Sequence, residues 1–138
     1  MEKDYSALFI KSYRYWEVSL YENQGYLGRC VVWCKREDAL DMADMRSDEQ
    51  EELFFVLREL KRASTEAFRP DWFNYAFLGN EVRHLHAHFI PRYAKPKDFA
   101  GMIFKDELYG HNYRTDRDFT VPAPIFSKIL EELKNALH

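Results

Sequence analysis

Between residues 84 and 90 the chain reads His-Leu-His-Ala-His-Phe-Ile, with polar and apolar side chains in alternation through Phe89. A helix, with its period of 3.6, cannot sort that pattern onto two faces, whereas a strand does so because alternate side chains point to opposite sides. The stretch is therefore a strand. Leu85, Ala87 and Phe89 turn into a core, and His84, His86 and His88 line the other side at steps of roughly 6.6 Å. A strand with one apolar face needs further strands beside it and a layer packed upon it.

Those partners are legible in the rest of the chain. Residues 14–21 place Trp16, Val18 and Leu20 on one face, as a half-buried strand does. Asn23-Gln24-Gly25 reads as a turn, since Asn and Gly tolerate the positive φ of tight hairpins. Residues 28–36 are apolar on both faces and so form a central strand. After a charged connector over 37–46, Ser47 and Gln50 fit a capping box. Leu53, Val56, Leu57, Leu60, Ala63 and Ala67 then run at helical spacing, giving one amphipathic helix over about 48–68 that Pro70 closes. A third strand follows at 72–78, and Gly79-Asn80 makes a turn before the histidine strand. Pro91 should end or edge that strand, because it cannot donate to a ladder. Order is weaker over 94–124, with room for a short strand at 101–105 and a polar loop around His111. Pro122 and Pro124 precede a final helix whose stripe is Ile125, Phe126, Ile129, Leu130, Leu133 and Leu137. Strand, strand, helix, strand, strand predicts an α+β fold with an antiparallel sheet. The whole of 1–138 makes a single domain, with its core over about 14–93 and a C-terminal extension over about 94–138.

Composition narrows the function. Twenty basic and 23 acidic side chains give a net charge of −3, which disfavours a nucleic-acid polymer as partner but not a small anion in a locally positive pocket. The charged start Met1-Glu2-Lys3-Asp4, with no long apolar run after it, implies neither a targeting signal nor a membrane span. Cys30 and Cys34 on one strand would lie roughly 13 Å apart, too far for a disulfide. Two buried thiols and no export signal point to the cytoplasm.

Chemistry concentrates at the three aligned imidazoles. Packing does not ask for such a row, and protonated neighbours would repel. Two chemistries fit. One is metal ligation, since three neutral histidines can hold catalytic zinc. The other is covalent phosphoryl or nucleotidyl transfer, in which one nitrogen attacks phosphorus while a carbonyl holds the other N–H. Ligating histidines usually have carboxylates behind them. No acid stands between Arg83 and Lys97, while Arg83, Arg92, Lys95 and Lys97 are all cationic, so the balance tilts toward an anion.

The run His84-Leu85-His86-Ala87-His88-Phe89-Ile90 resembles the signature of the histidine triad, or HIT, superfamily, and the resemblance extends over about 15–93. Ile90-Pro91-Arg92 is more similar to the dinucleoside polyphosphate hydrolase branch than to the phosphoramidase branch. The resemblance implies that His86 takes a nucleoside monophosphate from the α-phosphate and is then freed by water. It implies that the His84 carbonyl holds the far nitrogen of His86, and that the His84 side chain adds to the polar network behind it. His88 would bind the reacting phosphate, and Asn80 would contact the bridging oxygen or leaving group. Asn23 lies near the family's ribose-side Asn. Many members carry a fourth His after the glycine that opens the second strand, where this chain has Arg29 after Gly28; Arg29 either serves a phosphate or is a solvated strand residue. Asn23, Arg29 and Arg92 are thus the candidate substrate-binding residues. Arg92, Lys95 and Lys97 alternatively form a solvated basic edge.

Further expectations complete the reading. Trp16, Trp33 and Trp72 belong to the core, and His111 with Asn112, Tyr113 and Arg114 could reach a partner subunit's site. A nucleotide is the expected small-molecule partner, with neither nucleic-acid polymer nor membrane, and the resemblance implies a homodimer. No cofactor or metal is required, although Mg²⁺ could accompany the substrate. The alternatives are a three-His metal hydrolase and a non-catalytic nucleotide sensor or adaptor.

Overall fold

The computed structural model describes residues 6–137, so the charged start at Met1–Asp4 lies outside the described residues. Strands β1 (Phe9–Ser12), β2 (Trp16–Leu20), β3 (Cys30–Cys34), β4 (Trp72–Ala76) and β5 (His86–Arg92) form one antiparallel sheet in the order β1-β2-β3-β5-β4. Helix α1 (Ser47–Phe68) and helix α2 (Ala123–Leu137) supply the second layer, and β6 (Lys97–Phe99) with β7 (Met102–Phe104) makes a separate hairpin. This is the α+β arrangement that the alternating patterns imply.

Parity along the strands decides what is core. Trp16, Val18 and Leu20 of β2, Cys30, Val32 and Cys34 of β3, and Ala87 and Phe89 of β5 all lie in the buried cluster. Leu53, Val56, Leu60 and Ala63 of α1 and Ile129, Leu133 and Leu137 of α2 join them. β3 is the middle strand of five, which is why it is apolar on both faces. Cys30 and Cys34 are both free and buried.

Several boundaries differ from the sequence reading. β1 precedes the first expected strand, with only Ile10 of its four residues buried. Helix α1 begins at Ser47, but the cap is not the Ser47–Gln50 box. The Glu49 carboxylate instead accepts the Arg46 backbone N–H at 2.8 Å. Glu49 is held there by Arg36, whose Nε donates to it at 2.8 Å, while the Gln50 amide donates to the Met45 carbonyl. At the other end Arg69 adopts φ 52°, and its N–H returns to the Thr65 carbonyl before Pro70.

Pro91 does not end β5, which continues to Arg92. β3 pairs with β5 only between Trp33↔His86 and Cys30↔Phe89, so at Pro91 the β3 side has no ladder partner. In an antiparallel ladder the groups of alternate residues face alternate neighbours. The Arg92 carbonyl accepts from Asp71, on the β4 side. The missing donor of Pro91 therefore faces the side where β3 has already ended.

The connection between β2 and β3 is a nine-residue loop over 21–29 rather than a tight turn, and its positive φ falls at Gly28 (85°). A Cβ there would lie 2.9 Å from Phe68 Cδ2, so the close approach of α1 requires glycine. Buried Gln24 braces the loop: its Oε1 accepts from Gly28 N–H, and its Nε2 donates to the carbonyls of Tyr21 and Arg29.

Candidate active site

The sheet face away from the helices carries the side chains of opposite parity: Val31 and Trp33 on β3, Asn74 on β4, and His86, His88, Ile90 and Arg92 on β5. His86 stands opposite Trp33 and His88 opposite Val31. His84 is not on the strand. It sits in the bend just before β5, where Leu85 still bridges neighbours by accepting from Cys34 and donating to Ala39. The three imidazoles are accordingly not one straight row.

Each imidazole has one ring nitrogen assigned by its partner. A carbonyl only accepts, so His86 Nδ1, 2.5 Å from the His84 carbonyl, carries the proton and leaves the His86 Nε2 lone pair free. His84 Nε2 likewise donates to the Cys34 carbonyl at 2.5 Å. Arg only donates, so His88 Nδ1, 3.2 Å from Arg29 Nη2, is the acceptor, and a neutral His88 carries its proton on Nε2. The result is a nucleophilic lone pair on one ring beside an N–H donor on the next. The His86 and His88 rings meet edge-on with centroids 5.2 Å apart. Burial, then the Arg29 charge, then His86 push His88 down to about 4, so the neutral form dominates well below neutrality.

Arg29 is not a solvated strand residue: it is only 3% exposed. Its Nη1 donates to Thr115 Oγ1 at 2.8 Å, and its guanidinium lies 4.2 Å from the centre of the Tyr21 ring and 5.1 Å from that of Tyr113. Burial lowers its pKa, and Tyr21, Tyr113 and Tyr26 act in the opposite direction.

Arg92 corrects the sequence reading most sharply. It is neither a substrate ligand nor a solvated edge, because all five of its N–H donors are consumed inside the protein. Nε and Nη2 grip the Asp106 carboxylate, Nη1 donates to Asn74 Oδ1 and the His111 carbonyl, and Nη2 also donates to the Leu108 carbonyl. Both partners of the ion pair are buried, at 3% and 2% exposure. The His111 carbonyl and Thr115 Oγ1 thus serve this chain's own site face.

Asn23 is engaged within its loop: its Oδ1 accepts from Gly25 N–H, and its Nδ2 donates to the Asp116 carbonyl. Asn80 lies exposed in the connection leading to the triad. Of the candidates named from sequence, the structure links His84, His86, His88 and Arg29 in a chain of direct contacts.

Trp33 was expected in the core together with Trp16 and Trp72, and only Trp16 is there. Trp72 is 66% exposed on the outer strand β4. Trp33 stacks on His86, with centroids 4.5 Å apart and planes at 29°. Its parity on β3, odd like Val31 and opposite to Val32, was the available signal. Thr115 carried none, since no periodicity ties that segment to the sheet, and Tyr113, grouped with His111 as able to reach a partner subunit's site, lies against Arg29 of its own chain. Together with Phe73, Asn74, Tyr75, Asn112 and Arg114 they line a cleft of about 530 Å³ beside Arg29.

Among the described residues, no group of three or more His, Cys, Asp or Glu side chains is arranged to hold a metal ion. No helix among them is long and apolar enough to cross a membrane.

The HIT domain family model matches residues 27–95, half of the 138-residue chain. The chain belongs to the HIT domain family. A search of the curated proteins finds no match to the sequence. Among solved structures, a histidine triad protein from Bradyrhizobium japonicum superposes with a TM-score of 0.74 at 21% identity, covering 94% of this chain and 90% of that one. A HIT protein from Sinorhizobium meliloti gives 0.71 at 17% identity over 94% and 89%. The diadenosine triphosphate hydrolase of Plasmodium falciparum gives 0.63 at 12% identity over 96% and 75%. At these identities the likeness is one of fold. The HIT match itself spans β3, α1, β4 and β5 and includes Arg29 and the three triad histidines, but not Tyr21, Tyr113 or Thr115.

Proposed function

We propose that this HIT protein is a nucleotide hydrolase or nucleotidyl transferase that cleaves at the α-phosphate of a dinucleoside polyphosphate or a related nucleotide conjugate. The observation that carries the reading is the hydrogen bond from His86 Nδ1 to the His84 carbonyl, which leaves Nε2 as a free lone pair. In this reading Nε2 attacks the α-phosphorus and the bond to the leaving oxygen breaks. The nucleotidyl-imidazolium that forms keeps its Nδ1–H against the carbonyl, which stabilises the positive charge. The Nε2–H of His88 donates to a phosphate oxygen, and the buried Arg29 adds positive charge behind it. Asn80 on the approach to the triad contacts the leaving group, and Asn23 the ribose side. Water then attacks phosphorus, releasing nucleoside monophosphate and regenerating neutral imidazole. Mg²⁺ belongs to this scheme only as a companion of the polyphosphate.

The activity of one fold neighbour, a diadenosine triphosphate hydrolase, is consistent with the reading. The homodimer and the cytoplasmic location belong to the same proposal, the latter supported by two free, buried thiols. Intact-mass spectrometry after brief mixing with diadenosine tetraphosphate tests the chemistry. A transient adduct of one nucleoside monophosphate is expected, absent in His86→Ala, whose turnover should fall by at least three orders of magnitude. Appreciable turnover by His86→Ala would overturn the assignment, and binding without adduct or turnover would point to a sensor.

A further inference from the structure

The position after Gly28 is held by an arginine that is fastened on several sides. Nη1 of Arg29 is anchored by Thr115, Nη2 reaches His88 Nδ1, and the rings of Tyr21 and Tyr113 both lie within cation–π range of the guanidinium. Buried Gln24 holds the Arg29 backbone carbonyl at 2.9 Å, and Arg29 Nε is buried with no hydrogen-bond partner among the described residues. At 3% exposure the group is sealed against solvent. A buried guanidinium remains a donor at any ordinary pH, so its neighbour on His88 can only be a lone pair.

We propose that Arg29 is a positioning residue which, held by Thr115, locks His88 as the neutral Nε2–H tautomer and so dictates which nitrogen of His88 can face an anion. The catalytic consequence of this lock rests on the reading of the triad as a nucleotidyl-transfer site; the lock itself does not. A ring bonded through Nδ1 to a fixed cation cannot take a second proton without breaking that bond and facing like charge. The groups that face His88 are Arg29 from the 21–29 loop, His86 on its own strand, and the Tyr21 ring at 5.5 Å; across the sheet stand Val31 and Ala76. No carboxylate is among these neighbours of His88. The segment around Thr115, which no family pattern covers, thereby reaches the triad through one side chain.

Nitrogen-15 spectroscopy of the full chain labelled at histidine tests the lock without any substrate. The wild type should show His88 with Nδ1 unprotonated and Nε2 protonated from pH 8 down to pH 5. Arg29→Met should move the His88 titration upward toward the ordinary ~6.5 and mix the tautomers. Thr115→Val, which leaves the guanidinium in place but removes its anchor, should give a smaller shift in the same direction and serves if Arg29→Met does not fold. Protonation of His88 at Nδ1 in the wild type would overturn the proposal. So would a Thr115→Val or folded Arg29→Met variant whose His88 tautomer and titration match the wild type. Because no turnover is read, failure of the nucleotidyl-transfer reading leaves this result standing, and the reverse also holds.

Discussion

At the scale of the residue, His88 links the site's chemistry to the stability of the chain. Its folded pKa is depressed to about 4 from an ordinary 6.5, first by burial and then by Arg29 and His86. Between those values the unfolded chain binds a proton that the folded chain excludes. Stability must therefore rise with pH across that window, and be lost as pH falls through it. Glu49 has the same sign: Arg36 holds its carboxyl down to about 2 from an ordinary 4.5, so its contribution is also lost on acidification, but only below about pH 4.5. The interval from pH 6.5 down to 4.5 thus lies above the Glu49 window and within that of His88. Chemical unfolding at several pH values should give an upward slope there in the wild type and a flatter one in His88→Gln. Equal slopes in the two proteins would show that His88 is not held neutral.

At the scale of the element, the loop between β2 and β3 shows how backbone geometry serves the site. Gly28 has φ 85°, and its Cα faces the buried Phe68 ring at the end of α1. Gly28→Ala should cost about 2 kcal/mol or more, since a left-handed backbone alone disfavours an L side chain by roughly 1–2 kcal/mol and the ring must also shift. Gly101→Ala is the matched control: its φ is also 85°, but a Cβ there would meet nothing within 4 Å. Denaturant midpoints of the two variants separate the clash from the backbone term, and equal losses would refute the clash. Much of this architecture is legible in the sequence because it rests on period. The alternation at 84–90 specifies β5, apolarity on both faces marks β3 as central, and spacing delimits α1. What escapes depends on single contacts. The cap of α1 shifts by one residue because Arg36 fixes Glu49 from outside the helix. The burial of Arg92 is set by Asp106, fourteen residues onward, across a hairpin that no pattern ties to the sheet. Trp33 was recoverable from parity, yet an aromatic on a central strand reads as core by default.

At the scale of the whole molecule, the sheet has one outer strand with a marked apolar exposure. Trp72 of β4 is 66% exposed and Tyr75 43%, beside backbone groups that only β5 pairs on one side. Such an edge invites a further strand unless it is covered. The proposed homodimer would cover it, and sedimentation equilibrium over a range of concentrations should report twice the 16.6 kDa chain mass. A single-chain mass up to high micromolar concentration would exclude that state. The end of the neighbouring strand β5 is closed by the chain itself. Arg92 ends the triad strand, yet its counter-charge and two of its carbonyl partners come from Asp106, Leu108 and His111. The family-matched stretch 27–95 contains the arginine but none of those three. Trimming the protein to its recognisable motif would therefore strand a cation in the interior, with a cost of several kcal/mol against a marginal total. The tail is accordingly not an ornament on a self-sufficient module, and any minimised or grafted version of this site must either carry residues 106–111 or replace Arg92.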